Sequence, residues 1–182
     1  PPRMKGSLDK YHELVKTGVL ADSRVELLQG DIVEMSPVEP AHDDTREELA
    51  DYLRARLGAR GRVREATAVT LPDNSEPIPD IAVVKPQRYR DRHPYPEDVY
   101  LLIEIANSRP GRDLGPKRRV YAQAGIREYW VFNLAQQELK VFRDSQGDDY
   151  QVELTWSEQT IGIEAFPDVL LDAAVMRGLA FQ

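Results

Sequence analysis

The sequence predicts an α/β domain whose mixed central sheet is flanked by helices, on three observations. Val99 to Ala106, Val-Tyr-Leu-Leu-Ile-Glu-Ile-Ala, is a nearly continuous apolar run. Such a run fits a strand buried on both faces at the centre of a sheet. Helical periodicity stands on either side of it, over 42–57 and over 113–124. Helical and strand patterns also alternate along the chain, as they do where helices pack against a sheet.

The elements follow in order. Residues 7–16 read as a first helix, with Gly18 just past its end. Residues 24–28 and 31–35 read as an N-terminal hairpin around Gln29-Gly30-Asp31. The helix over 42–57 has an apolar stripe of Leu49, Leu53 and Leu57, spaced by four, and ends at Gly58. His42 lies at its start on that inward face. Residues 62–71 alternate, with Val63, Val69 and Leu71 on one side, and predict a strand. Residues 79–84 predict a short apolar strand. Residues 85–97 hold prolines and arginines with little apolar content and predict a flexible connection. After the central strand, the helix over 113–124 has Pro116 in its first turn and Gly125 beyond it. Residues 128–134 predict a further strand, 139–143 and 150–156 a trailing C-terminal hairpin, and 170–179 a short helix.

Composition supports one domain over residues 1–182. Apolar residues make up 41% and charged residues 30%, enough of each for a core and a solvated surface. No apolar stretch approaches the about 18 residues of a membrane span, so no membrane partner is expected. No apolar signal-like stretch stands near the start, and cysteine is absent. That removes disulfides, thiolate metal sites and thiol nucleophiles, and the expected compartment is the cytoplasm. The net charge of −7 excludes a strongly basic coat protein. Positive charge is nevertheless grouped, in Arg54, Arg56, Arg60, Arg62 and Arg64 with no acid among them, and in Arg109, Arg112, Lys117, Arg118 and Arg119. Each group reads either as solvated surface or as a phosphate-binding patch.

Three residues stand out of place. Glu104 interrupts the most apolar strand in the chain, where a carboxylate is costly unless it is paired or metal-bound. Asp80 opens the strand that begins after Pro79. Of the three Pro-Asp pairs, only this one leads into an apolar strand next to the one that carries Glu104. Lys117 falls on the apolar stripe of its helix with Leu114, Val120, Tyr121 and Ala124. Each has a bland counterpart: a strand-end glutamate meeting solvent or an arginine, a turn aspartate, a snorkelling lysine. Together they have a mechanism. Asp80, Glu104 and the backbone carbonyl of Ile105 form an oxygen site suited to Mg²⁺, with Mn²⁺ as a substitute. A metal there sharpens a bound water and stabilises charge on a phosphodiester. Lys117 orients or deprotonates that water, or neutralises the oxyanion.

The text around these residues resembles a known family. It comprises Asp22-Ser-Arg-Val-Glu-Leu-Leu-Gln-Gly30, His42, Pro79-Asp80-Ile-Ala-Val-Val84 and Leu102-Ile-Glu-Ile-Ala-Asn-Ser108. Asp113, Lys117, Tyr121 and Ala122 follow, and then Ala124-Gly-Ile-Arg-Glu-Tyr-Trp-Val131. Over roughly residues 7–180 it resembles the Uma-type restriction endonucleases of the PD-(D/E)XK superfamily. The resemblance implies a restriction-endonuclease-like core and Mg²⁺-dependent cleavage of nucleic acid, DNA being the expected polymer. It also implies a homodimer. It carries Asp80 and Glu104 over as metal ligands and Glu26 as a further carboxylate near the site. One departure matters: the superfamily's lysine lies two residues after the glutamate, and Ala106 stands there, so Lys117 supplies it from the helix. Asp113 is expected to cap that helix, with a role in the site as the lesser alternative, and His42 to be a satisfied helix-start histidine, with contact to substrate as the other reading. Fold alone does not settle activity. The competing reading is a non-catalytic nucleic-acid-binding or protein-interaction module that keeps the fold. A metal-dependent phosphohydrolase of small substrates is a third, disfavoured by the grouped arginines.

Overall fold

A computed structural model of the chain describes residues 7–107 and 110–181. Helix α1 (Ser7–Lys16) leads into a hairpin of β1 (Val25–Leu28) and β2 (Asp31–Glu34). Helix α2 (Pro40–Leu57) follows, then β3 (Arg62–Glu65), β4 (Ile81–Val84) and β5 (Val99–Ala106). A short helix α3 (Gly111–Leu114) and helix α4 (Pro116–Gln123) connect to β6 (Glu128–Asn133). The chain closes with β7 (Glu138–Gln146), β8 (Asp149–Thr155), β9 (Ile161–Ile163), β10 (Phe166–Leu171) and α5 (Ala173–Leu179).

Six strands form the central sheet in the order β3-β4-β5-β6-β7-β8. Only β5 and β6 run parallel, because α3 and α4 form the crossover between them. The expected trailing hairpin, β7 and β8, extends this sheet to its edge. A separate pair, β9 and β10, lies outside it. The core has two halves, one on each face. On one face Leu49, Leu53 and Leu57 of α2 pack on Val83, Ile103, Trp130 and Phe132, with Leu171 and Met176 beside them. On the other, Val120 and Tyr121 of α4 pack on Ala82, Leu102 and Tyr129 together with Val69 and Leu71. Central strand β5 is buried along almost its whole length, as its apolar run requires. Among the described residues, no helix is long and apolar enough to cross a membrane.

Besides the unexpected pair β9 and β10, three elements show the largest departures from their expected bounds, each for a local reason. The strand expected over 62–71 stops at Glu65, because Ala66 adopts φ +50°. Pairing ends there, and Val69 and Leu71 reach the core from an irregular segment. The helix expected over 113–124 breaks at Gly115, since Pro116 has no N–H to continue the ladder and instead opens α4. The C-terminal helix starts at Ala173 and not at 170, because β10 runs to Leu171 and the Asp172 carboxylate then accepts the Val175 N–H at 2.9 Å as an N-cap.

The connection between β4 and β5 is irregular yet anchored. The Thr70 N–H donates to the Pro94 carbonyl at 2.9 Å, and the Lys85 N–H to that of Asp98 at 2.8 Å. Asp98 is buried and accepts from Tyr95 N at 2.9 Å and Arg92 Nη1 at 2.8 Å. Burial opposes its charge, but the Arg92 and Tyr95 hydrogen bonds outweigh it and hold the carboxyl below the usual range. A depressed carboxylate contributes stability above its unfolded value, about 3.9, and loses it as pH falls through the folded one. Asp98→Asn should therefore lower the urea midpoint near neutral pH, and the gap to the parent should close in acid, below the lowered folded value. An equal gap at both pH values would show that the charge is not the source.

Candidate functional site

The expected residues converge beside the C-terminal end of β5. Strands β4 and β5 pair with Ile81 opposite Ile103, so the flanking Asp80 and Glu104 lie across from each other. The Ile105 N–H donates to Asp80 Oδ2 at 2.7 Å, and His42 Nε2 lies 2.8 Å from Asp80 Oδ1. Both Asp80 oxygens are thus engaged. The His42 imidazole is buried. Burial works against its charge, but Asp80 and then Asp43 outweigh that effect and raise it above the usual histidine range. His42 is satisfied at a helix start, as expected, and its partner is a site carboxylate.

Lys117 reaches the same place from α4. It is 1% exposed, with Nζ 2.7 Å from Glu104 Oε2 and 3.0 Å from Glu26 Oε1. Burial opposes the ammonium charge, but Glu104, then Tyr121 and Glu26, more than offset it, so Lys117 stays protonated. Glu26 comes from β1, which Leu27 ties to Glu76 across the site through an isolated antiparallel bridge. Its Oε1 also accepts the Ile78 N–H at 3.2 Å. The hairpin therefore places this carboxylate over the lysine.

Glu104 is 5% exposed. Burial, with Asp113, Asp80 and Glu26 nearby, pushes its carboxyl well above the usual range against the pull of Lys117. Tyr121 adds a long contact, its hydroxyl 3.5 Å from Glu104 Oε1. Asp113 is not a helix cap. Gly115 occupies the N-cap position of α4, and the Asp113 carboxyl instead lies near Glu104. Burial is the main cause of its raised pKa. The site thus gathers Glu26, Asp80, Glu104 and Asp113 around Lys117 and His42, more carboxylates than cations, at the base of a cavity of about 430 Å³.

A metal in such a site would meet hard oxygen donors of the right type, the carboxylates of Asp80 and Glu104 and the carbonyl of Ile105. Among the described residues, no three His, Cys, Asp or Glu side chains are grouped to hold a metal ion. This donor set has only two such side chains, with a backbone oxygen as the third donor.

The grouped arginines fare differently. Arg54 pairs with Glu65 at 2.8 Å and Arg60 with Asp168 at 2.8 Å, while Arg56 stacks 3.5 Å over the Tyr52 ring. Arg62 donates to the Gln87 carbonyl, and Arg118 pairs with Asp149. For Arg60 and Arg118 the neutralising acid comes from a distant segment, while no ion pair is formed by Arg56, Arg62 or Arg64 among the described residues. Arg112 lines the cavity and Arg119 is exposed. Arg109 lies outside the described residues. Arg24, just before β1, also lines the cavity, and sequence reasoning missed it because a lone arginine before a strand carries no periodic signal.

Residues 8–174 match the sequence model of the Uma2 family, described as "Putative restriction endonuclease". The chain belongs to the Uma2 family. None of the curated proteins compared with it matches. Among solved structures it is similar to "a putative nuclease belonging to DUF820" from Anabaena variabilis ATCC 29413, with a TM-score of 0.78 and 15% identity over 95% of this chain and 98% of that one. At that identity the likeness concerns the fold. The mixed sheet, flanking helices and added N- and C-terminal hairpins form a restriction-endonuclease-like architecture, and this Uma2 chain is nuclease-like at the level of fold and family.

Proposed function

We propose that the cavity engages the phosphodiester backbone of nucleic acid, DNA in the first instance, and that in the arrangement described it does so as a binding module on a nuclease fold. The observation that carries this reading is the closed ionic network at its base. Lys117 Nζ is held by two carboxylates, and both Asp80 oxygens are engaged by His42 and the Ile105 N–H. A lysine so held has its charge offset by its partners and accepts no proton, so the base is built for a fixed structure and the backbone is met nearer the mouth.

Metal-dependent hydrolysis is the second reading, and a separate observation favours it. The base of the cavity gathers more carboxylates than cations, and burial holds Glu104 and Asp113 in favour of their protons. A divalent cation would relieve that excess. Asp80, Glu104 and the Ile105 carbonyl are the donors proposed for Mg²⁺ or Mn²⁺, which when bound would polarise the phosphate and acidify a water. Lys117 would then neutralise charge developing on a non-bridging oxygen.

One assay separates the two. Duplex and single-stranded DNA and RNA are titrated in EDTA, then incubated with Mg²⁺ or Mn²⁺. Binding should weaken as salt rises, because phosphate contacts release counterions, and Arg54, Arg60 and Arg118, already paired with acids, should add little. No binding at low salt would sink both readings. On the first reading no metal produces cleavage. On the second, cleavage appears with Mg²⁺ or Mn²⁺, Asp80→Asn and Glu104→Gln lower Mn²⁺ affinity, and Lys117→Ala abolishes cleavage while leaving metal affinity intact. Homodimerisation is proposed from the family resemblance, and light scattering at micromolar concentration should return twice the chain mass.

A further inference from the structure

We propose that Arg24 and Arg112 form a phosphate clamp at the mouth of the cavity, gripping a phosphate of the bound strand above the carboxylate-lined base. This rests on reading the cavity as a backbone-binding site and names residues that would do the binding.

Two guanidinium groups from opposite ends of the chain's first two-thirds converge on one short strip of backbone. Arg24 Nη1 donates to the Ser36 carbonyl at 3.3 Å, and Arg112 Nη1 donates to the Glu34 carbonyl at 2.8 Å. Those carbonyls lie two residues apart at and just beyond the end of β2, roughly 6–7 Å in extended chain. Both arginines line the cavity whose base holds Asp80, Glu104 and Lys117.

Arg62 is anchored on a carbonyl in the same way, but away from the cavity. Arg54, Arg60, Arg92, Arg118 and Arg143 each meet a carboxylate within 2.8 Å. Among the described residues, no carboxylate forms an ion pair with Arg24 or Arg112. A carbonyl positions a guanidinium without cancelling its charge. Each group has five N–H donors in a fixed fork, and the bond described for it occupies one nitrogen. Such a fork, charged and held in place, matches two oxygens of a phosphate. The vertical order of charge fits as well. Carboxylates lie at the base and guanidinium groups at the mouth, so a ligand is favoured whose anionic group sits at the mouth. Arg88, by contrast, is exposed on the β4–β5 connection and serves as a comparator away from the cavity.

The test is binding of a 5′-phosphorylated thymidine dinucleotide in EDTA, followed by calorimetry, alongside a longer single strand. Arg24→Gln and Arg112→Gln should each weaken the dinucleotide by about tenfold or more, since each removes a charge-assisted hydrogen bond. Arg24→Lys and Arg112→Lys should recover part of that loss, because charge returns without the fork. Arg88→Gln should leave the dinucleotide affinity at the parent value. If both glutamine variants bind the dinucleotide as the parent does while the longer strand still binds, the clamp is wrong and the cavity reading stands. Equal weakening by Arg88→Gln and Arg112→Gln would also overturn the clamp, reducing it to bulk charge. If the parent binds neither probe, the cavity reading fails and takes the clamp with it.

Discussion

Replacing Lys117 with methionine should destabilise the fold by about 3–5 kcal/mol, because it leaves buried carboxylates without their counter-charge. For a domain of this size that is a fall in Tm on the order of 10 °C. Glu26 and Glu104 both contact Nζ, and neither is more than 5% exposed. Burial already favours the proton on Glu104, so in the variant it takes one up, which limits the loss at low pH. The folded variant then binds more protons than its unfolded chain above about pH 4.3, so its stability falls as pH rises. The cost should therefore be larger at about pH 9 than at about pH 6. Adding Glu104→Gln should recover part of it, since the double variant buries one charge fewer. Denaturant unfolding of the four species measures this cycle. Additive costs would mean that the two side chains do not depend on each other.

Glu128→Ala should cost a similar amount, about 3–5 kcal/mol, for a reason unrelated to the cavity. The Glu128 side chain is fully buried. Its Oε2 accepts Trp130 Nε1 at 2.9 Å and Arg143 Nε at 2.7 Å, and its Oε1 accepts the Glu164 N–H at 2.9 Å. One carboxylate thus joins β6 to β7 and to the turn between β9 and β10. Alanine orphans all three donors and leaves Arg143 without its counter-charge. Glu128→Gln keeps one acceptor oxygen and should cost less. Equal midpoints for the parent and the alanine variant would show that water satisfies these donors in the folded state.

The central strand was legible because its signal is local. A run as apolar as Val99 to Ala106 has few places to go but the middle of a sheet, and Glu104 within it stands out for the same reason. Lys117 was legible from helical spacing, which puts it on the stripe with Val120 and Tyr121. Asp80 needed only the short strand after it. Less legible were the places where one residue's backbone overrides a pattern. Alternation continues through Val69 and Leu71, yet Ala66 at φ +50° ends the strand. The β9 and β10 pair was missed because Ile-Gly-Ile is too short to separate strand from loop.

Sequence by itself determined the fold class and the inward placement of Glu104 and Lys117, because burial and periodicity are written in neighbouring residues, and its motifs carried the resemblance to the family. Only the tertiary structure decided what those side chains meet. It set Glu26 over Lys117 by bridging the hairpin to Glu76, gave Asp80 the His42 imidazole, and turned Asp113 from an expected cap into a half-buried neighbour of Glu104. It also matched arginines that looked free with acids far away in the chain, as Arg60 with Asp168, and left Arg24 and Arg112 at the cavity mouth on carbonyls. Ion pairing acts over a few ångströms of space, whatever the separation along the chain, so a charge's partner becomes visible only once the fold has brought it near.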